Sequence, residues 1–180
     1  MTLTRDEHEA LCRRCGVSCL FAVPVNGLAV VVDELRCKFL ARAADGTYGC
    51  TVYERRFELA PWCHTAERAV AGGFVAQDCP YARGVPGYRG KVRLSPRLLS
   101  QVLPGLRAEV VRVGVPAGAD PEAALRFVAA GGGDWRYTLS ADGSRYLFER
   151  MDAPALATDD SSAPAETPAI PLSRRHLPVV

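Results

Sequence analysis

The chain has 180 residues, of which 48% are hydrophobic, and a net charge of +2. That length suits one domain, or one domain with an appended subdomain, and the apolar share is enough for a real core. The near-neutral charge argues against a nucleic-acid or strongly acidic partner, and the longest apolar runs, such as LAVVV at 28–32, fall far short of the roughly 20 residues that span a bilayer.

The opening MTLTRDEHEAL has no basic segment followed by an apolar stretch, so a soluble cytoplasmic protein is the expectation. Thr4 and Glu7 fit a capping box. A short helix is expected from there to about Arg14, with Gly16 as its stop. Cys12 and Cys15 would then share one face at its end. CLFAVPVNGLAVVVD reads as a β-hairpin, because Asn26-Gly27 is the pair that two-residue type I′ turns prefer. Cys19 would start its first strand and Cys37 would lie just beyond its second. Asp45-Gly46 marks another turn, so a second hairpin can bring Cys37 and Cys50 together. Tyr53 to Leu59 reads as helical, ending before Pro61. Thr65 to Ala71 reads as a short helix stopped by Gly72-Gly73.

After about Arg93 the composition changes. Ser95-Pro96 is an N-cap with proline at the first helical position, opening a helix to about Leu103. Leu106 to Val115 alternates loosely and reads as a strand. Asp120-Pro121-Glu122 opens another helix, ended by Gly131 to Gly133. Trp135 to Ser140 and Arg145 to Arg150 form a hairpin around Ala141-Asp142-Gly143. From Met151 onward the chain is rich in Ala, Pro, Ser, Thr and Asp without periodicity, and reads as a disordered tail.

The fold class is therefore α+β. A small metal-stapled, cysteine-rich domain of short helices and hairpins covers 1–93, and a small α+β unit at 94–150 packs on it. The tail occupies 151–180.

Cysteine usage stands out. All seven cysteines lie between Cys12 and Cys79. In a chain read as cytoplasmic, such spacing points to metal or redox chemistry rather than structural disulfides. Thiolates suit zinc, which takes four ligands tetrahedrally, and iron–sulfur clusters. The two-residue gap of Cys12-x-x-Cys15 lets both sulfurs reach one ion, and Cys19 is close enough to join. A fourth ligand must come from Cys37, Cys50, Cys63, Cys79 or His64. With His64 the donors number eight, enough for two tetrahedral zinc ions, or for one iron–sulfur cluster with cysteines to spare.

The order Cys12-x-x-Cys15-Gly16-x-x-Cys19, then Cys37-Lys-Phe-Leu40, then Cys50-Thr-Val-Tyr53-Glu-x-Arg56 resembles the YkgJ family of cysteine-cluster proteins. The domain of that family is described as zinc- or iron-chelating, with a CxxCxxCC-type signature. Cys63 and Cys79-Pro80-Tyr81 continue the resemblance, which covers roughly residues 8 to 93. It implies metal binding, with Cys12, Cys15, Cys19, Cys37 and Cys50 matching best, and no particular reaction. The chain departs from the pattern where Ser18-Cys19 replaces a paired Cys-Cys. A serine oxygen is a poor substitute for thiolate on a soft metal.

Other residues carry plainer readings. His64 reads as a partly exposed histidine with a nearby hydrogen bond, His8 as a surface residue and His176 as solvated. Asp33-Glu34 and Asp159-Asp160 lack a neighbouring histidine or nucleophile and read as turn and tail residues. Tyr53 is expected to pack beside the cluster and Arg56 to hold a loop carbonyl. Arg83, Arg89, Lys91, Arg93 and Arg97, interleaved with Tyr81 and Tyr88, read as a solvated loop rather than a nucleic-acid surface.

Three functions fit. The first is a metal-binding protein holding zinc or iron through clustered cysteines. The second is an iron–sulfur or iron-dependent redox enzyme. The third is a zinc-stapled module that docks a protein partner.

Overall fold

The computed structural model describes residues 10–151. The Thr4–Glu7 capping box, His8, and the tail with Asp159-Asp160 and His176 lie outside those residues. Mixed α and β elements are present, with short helices and three small sheets.

The first hairpin forms as its turn chemistry dictates. Strand β1, Val23–Val25, runs antiparallel to β2, Leu28–Val30. Asn26 and Gly27 between them take φ of 49° and 79°, the left-handed pair of a type I′ turn. The second hairpin joins β3, Leu40–Arg42, to β4, Tyr48–Cys50, with Leu40 opposite Cys50. A 3₁₀ turn at Tyr53–Arg55 leads into helix α1, Arg56–Leu59. Helix α2, Ala66–Ala71, is capped by Thr65, whose hydroxyl accepts from the Arg68 amide. Strand β5, Lys91–Val92, returns to lie parallel to β2 and completes a three-stranded sheet.

The largest departure from the sequence reading follows. Helix α3 runs unbroken from Pro96 to Val113, passing through Pro104 and consuming most of the segment read as a strand. Only Val115–Pro116, strand β6, is extended. An interior proline costs a helix about 3 kcal/mol. Here Leu99, Leu103, Leu106 and Val110 recur at helical spacing, and Leu106 and Val110 are each 1% exposed. Burial of such side chains at about 1.5–3 kcal/mol apiece outweighs the proline. Helix α4, Pro121–Ala129, is capped by Asp120, and β7, Trp135–Leu139, pairs with β8, Arg145–Arg150. The third sheet has the order β6-β8-β7.

The main core draws on both ends of the chain. Val23, Val30, Val32 and Leu35 share one cluster with Leu106, Val110, Phe127 and Phe148. Residues 36–38 are also tied to 118–120. Cys37 bridges Ala119, the Lys38 amide donates to the Gly118 carbonyl, and the Asp120 amide donates to the Arg36 carbonyl. The Asp120 carboxylate meets the Arg36 guanidinium at 3.0 Å. The cysteine-bearing loops are thus built out from a core whose other half is α3, α4 and the third sheet.

Candidate functional site

Cys12 and Cys15 do not share a helical face. Ala10 is helical, but Cys12 to Cys15 run in irregular backbone. Further along, Arg14 at φ 51° and Gly16 at φ 74° take left-handed conformations. Both cysteines are exposed.

Gly16 opens a 3₁₀ turn, Val17–Cys19, that ends on Cys19, so Cys19 precedes the first strand instead of starting it. Residues 19–21 then run antiparallel to 35–37. The Cys37 amide donates to the Cys19 carbonyl at 2.8 Å, and the Phe21 amide to the Leu35 carbonyl at 2.6 Å. This long-range pairing, rather than strand order alone, sets Cys37 beside Cys19. Cys37 is buried.

The second hairpin sets Cys50 close by, as its turn implied. The Leu40 amide donates to the Cys37 carbonyl and the Thr51 amide to the Phe39 carbonyl, both at 2.9 Å. Cys63 is fixed through its neighbour. The Trp62 ring stacks on Phe39 with centroids 6.2 Å apart, and the Lys38 ammonium lies 5.0 Å from the Trp62 ring. Gly118 faces that indole so closely that a Cβ there would collide with it.

Cys79 arrives from another direction. It precedes a 3₁₀ turn, Pro80–Ala82, and packs against two small apolar clusters. The Arg13 guanidinium donates to the Asp78 carboxylate at 2.9 Å and to the Asp78 carbonyl at 2.7 Å, clamping the Cys12–Cys15 loop to the Cys79 loop.

These loops surround a cavity of about 1270 Å³. Its lining includes Cys12, Cys15, Cys19, Cys50, Cys63 and Cys79. His64, Tyr53 and Arg56 line it too. His64 stacks on Phe74 with centroids 5.0 Å apart. Arg56 donates to the Tyr53 carbonyl at 2.6 Å and lies 3.9 Å from the Tyr53 ring centre.

The electrostatics follow the same grouping. Burial pushes the Cys19 thiol up to about 11; the Ser18 hydroxyl 3.9 Å away lowers it, and charge on Cys37, Cys63 and Cys50 raises it. Burial also raises Cys63; nearby Arg56 counters this, and Cys50 and Cys37 add to it. Burial raises Cys79, the Tyr81 amide opposes, and Cys15 and Cys12 raise it further. Among the described residues no three His, Cys, Asp or Glu side chains stand in a group able to hold an ion. The chemistry of the cysteine sulfurs suits a thiophilic metal, and binding one would draw thiolates together and release their protons.

Lys91 is the residue that sequence reasoning misses. Its segment reads as a solvated basic loop, yet it is 7% exposed. Its ammonium donates to the carbonyls of Leu20 at 2.6 Å, Ser18 at 3.0 Å and Val17 at 3.4 Å, gathering the carbonyls that leave the Cys19 turn. Burial pushes it down to about 8, with Cys19 opposing. No local signal marks this lysine as internal. Its partners lie more than 70 residues away. Arg93, from the same stretch, pairs with Asp33 at 2.7 Å.

Gly16 gives a direct test of this construction. A Cβ on it would fall 2.7 Å from the Tyr48 ring, on the strand that ends at Cys50. The positive φ adds backbone strain of about 1–3 kcal/mol. Gly16→Ala is expected to lower unfolding free energy by about that amount, read as a lower denaturation midpoint, and to shift the Tyr48 environment. An unchanged midpoint would show that this turn does not depend on the close approach.

The chain is similar to a protein of Marinobacter nauticus described as "UPF0260 protein". The two are 28% identical over 117 residues, covering 61% of this chain and 77% of the relative. No family model matches the chain, and no solved structure matches it.

Proposed function

We propose that this chain is a metal-binding protein whose clustered cysteines hold zinc or iron, the iron either as an ion or within an iron–sulfur cluster. One observation carries the reading. Cysteines spread from Cys12 to Cys79 are brought to one region by long-range pairing. Six line one cavity, and Cys37 is bonded through its amide to Cys19. Buried thiols used only as small hydrophobes have no need to gather. The resemblance to the YkgJ cysteine-cluster family supports the same chemistry.

A second reading is favoured by the cavity. A space of about 1270 Å³ beside the sulfurs is large enough for a small substrate, as an iron-dependent or iron–sulfur redox enzyme would require. A closed structural zinc site has no use for it.

Purification without oxygen, followed by metal analysis, acid-labile sulfide and an absorption spectrum, tests both readings. A metal retained in stoichiometric amount is expected. Brown protein with iron and sulfide favours the second reading, and colourless protein with zinc excludes it. If neither metal is retained and Cys12→Ser leaves fold and stability unchanged, the metal-binding proposal is wrong.

A further inference from the structure

We propose that the cavity is a binding site for a small organic anion, with Arg14 and Arg56 holding its carboxylate or phosphate and the rings of Tyr53 and Phe57 covering its apolar part. The inference concerns the cavity of the second reading, but it stands on arginines and aromatic rings and needs no metal on the thiols.

Charge is the first observation. Five lysine or arginine side chains line the cavity against two carboxylates, Glu67 and Asp78. Three of the five are committed elsewhere. Arg13 is paired with Asp78, Arg93 with Asp33, and the Lys91 ammonium with three carbonyls. Arg14 and Arg56 are different, for among the described residues neither meets a carboxylate within ion-pair distance. A guanidinium keeps its charge at any physiological pH. Its planar fork of N–H donors matches a carboxylate or phosphate through two parallel bonds.

Each guanidinium is held in place by its surroundings. Arg14 sits at φ 51°, where a long side chain is uncommon. Its carbonyl accepts from the Tyr48 amide at 2.9 Å and its Nε donates to the Tyr48 carbonyl at 3.3 Å, so strand β4 fixes this conformation. The guanidinium passes over Gly49, 3.4 Å from where a Cβ would stand. Strained residues held in this way cluster at ligand sites. Asp45 feels the Arg14 charge, but its Oδ1 already accepts from the Thr47 amide and hydroxyl.

Arg56 is held by aromatic rings. It donates to the Tyr53 carbonyl and lies 3.9 Å from the Tyr53 ring centre and 4.5 Å from that of Phe57. Both rings attract the cation and narrow its range of orientations. Tyr53 and Phe57 are exposed and line the same cavity, so ring surface lies beside the guanidinium for a ligand to cover. Strand β4 ends at Cys50, and the turn at Tyr53–Arg55 leads from it into α1. One continuous stretch of wall, 48–57, therefore positions both guanidiniums. An inorganic anion would use the arginines and leave the rings bare. A neutral aryl compound would leave the excess positive charge uncompensated.

Calorimetric titration of the full-length protein at low ionic strength tests the assignment, with phenyl phosphate and benzoate as probes. Saturable binding of at least one is expected. Neutral benzamide and inorganic phosphate should each bind about tenfold more weakly, or less, than the better probe. Arg14→Gly removes that guanidinium and suits the left-handed backbone. It and Arg56→Gln should each weaken the better probe by about tenfold or more. Arg97→Gln, an exposed arginine of α3 outside the cavity, makes the same change in net charge and should have no effect. Circular dichroism checks each variant, and if Arg14→Gly fails to fold, Arg56→Gln decides. Arg56 also lowers the Cys63 thiol, so metal per chain is measured alongside. Arg56→Gln should keep the wild-type metal content while losing the anion. Loss of both would assign Arg56 to the sulfurs and overturn the proposal. No saturable binding of either probe, an equal effect of Arg97→Gln, or inorganic phosphate binding as tightly as phenyl phosphate would also overturn it. Anion binding in a protein that holds no metal supports this proposal and counts against the metal-binding reading alone.

Discussion

Lys91→Met is expected to lower unfolding free energy by about 3 kcal/mol, because it removes a charged donor and strands three carbonyls inside the fold. Methionine keeps most of the side-chain stem, so packing beside Phe74 changes little. The loss is therefore electrostatic. Hydrogen bonds to a charged group contribute about 1.5–3 kcal/mol each, and a buried acceptor left without a donor costs a further 1–3 kcal/mol or so. The sum is reduced because methionine escapes the desolvation penalty that pushes Lys91 down to about 8, and because the Ser18 carbonyl is only partly buried, so water can replace the ammonium there. Against a typical total of about 5–15 kcal/mol, such a loss is large. Denaturant titration checks it. The accompanying expectation is a looser Cys19 turn, read as faster amide exchange at residues 17–20. A midpoint unchanged by the substitution would falsify the view that this ammonium organises the turn.

Phe127→Ala is expected to cost about 3–5 kcal/mol, the range for deleting a buried aromatic ring. Phe127 is 4% exposed within the main core. Its carbonyl accepts from the Arg107 side chain at 2.9 Å, and the Arg107 guanidinium lies 5.4 Å from its ring, so α3 and α4 are joined at this point. For a chain of this size the loss corresponds to roughly 10 °C in Tm. The core that contains Phe127 also contains Val23 and Val30 of the first hairpin, which sits just after the Cys19 turn. Damage at Phe127 should therefore lower the stability of the cysteine region as well. One cooperative transition, shifted as a whole, is the expected melting curve. Two transitions, with only one shifted, would mean that the halves of the core unfold independently.

Several features are legible in the amino-acid sequence alone. The Asn26-Gly27 turn, the Thr65, Ser95 and Asp120 caps, and the hairpins around Asp45-Gly46 and Asp142-Gly143 all depend on residues within a few positions of one another. Cysteine chemistry is legible for the same kind of reason, since a thiol is a soft donor wherever it sits. Local reasoning fails at Pro104, where near-neighbour preference favours a break and core burial overrides it. It fails again at Cys12 and Cys15, which lie in irregular backbone beyond the helical Ala10 rather than on a helix reaching Arg14.

The sequence by itself determined which thiols the chain carries, the turns and the caps, because these are set by side-chain type and near neighbours. Only the tertiary structure decided which cysteine-bearing loops come together. That grouping depends on the 19–21 ladder against 35–37, the Phe39–Trp62 stack and the Arg13–Asp78 clamp. Each joins residues far apart in the chain, and each forms only because a shared core repays the entropy of closing the loops between them. The same holds for Lys91. Nothing in its own segment distinguishes it from a surface lysine until the fold presents three carbonyls to its ammonium.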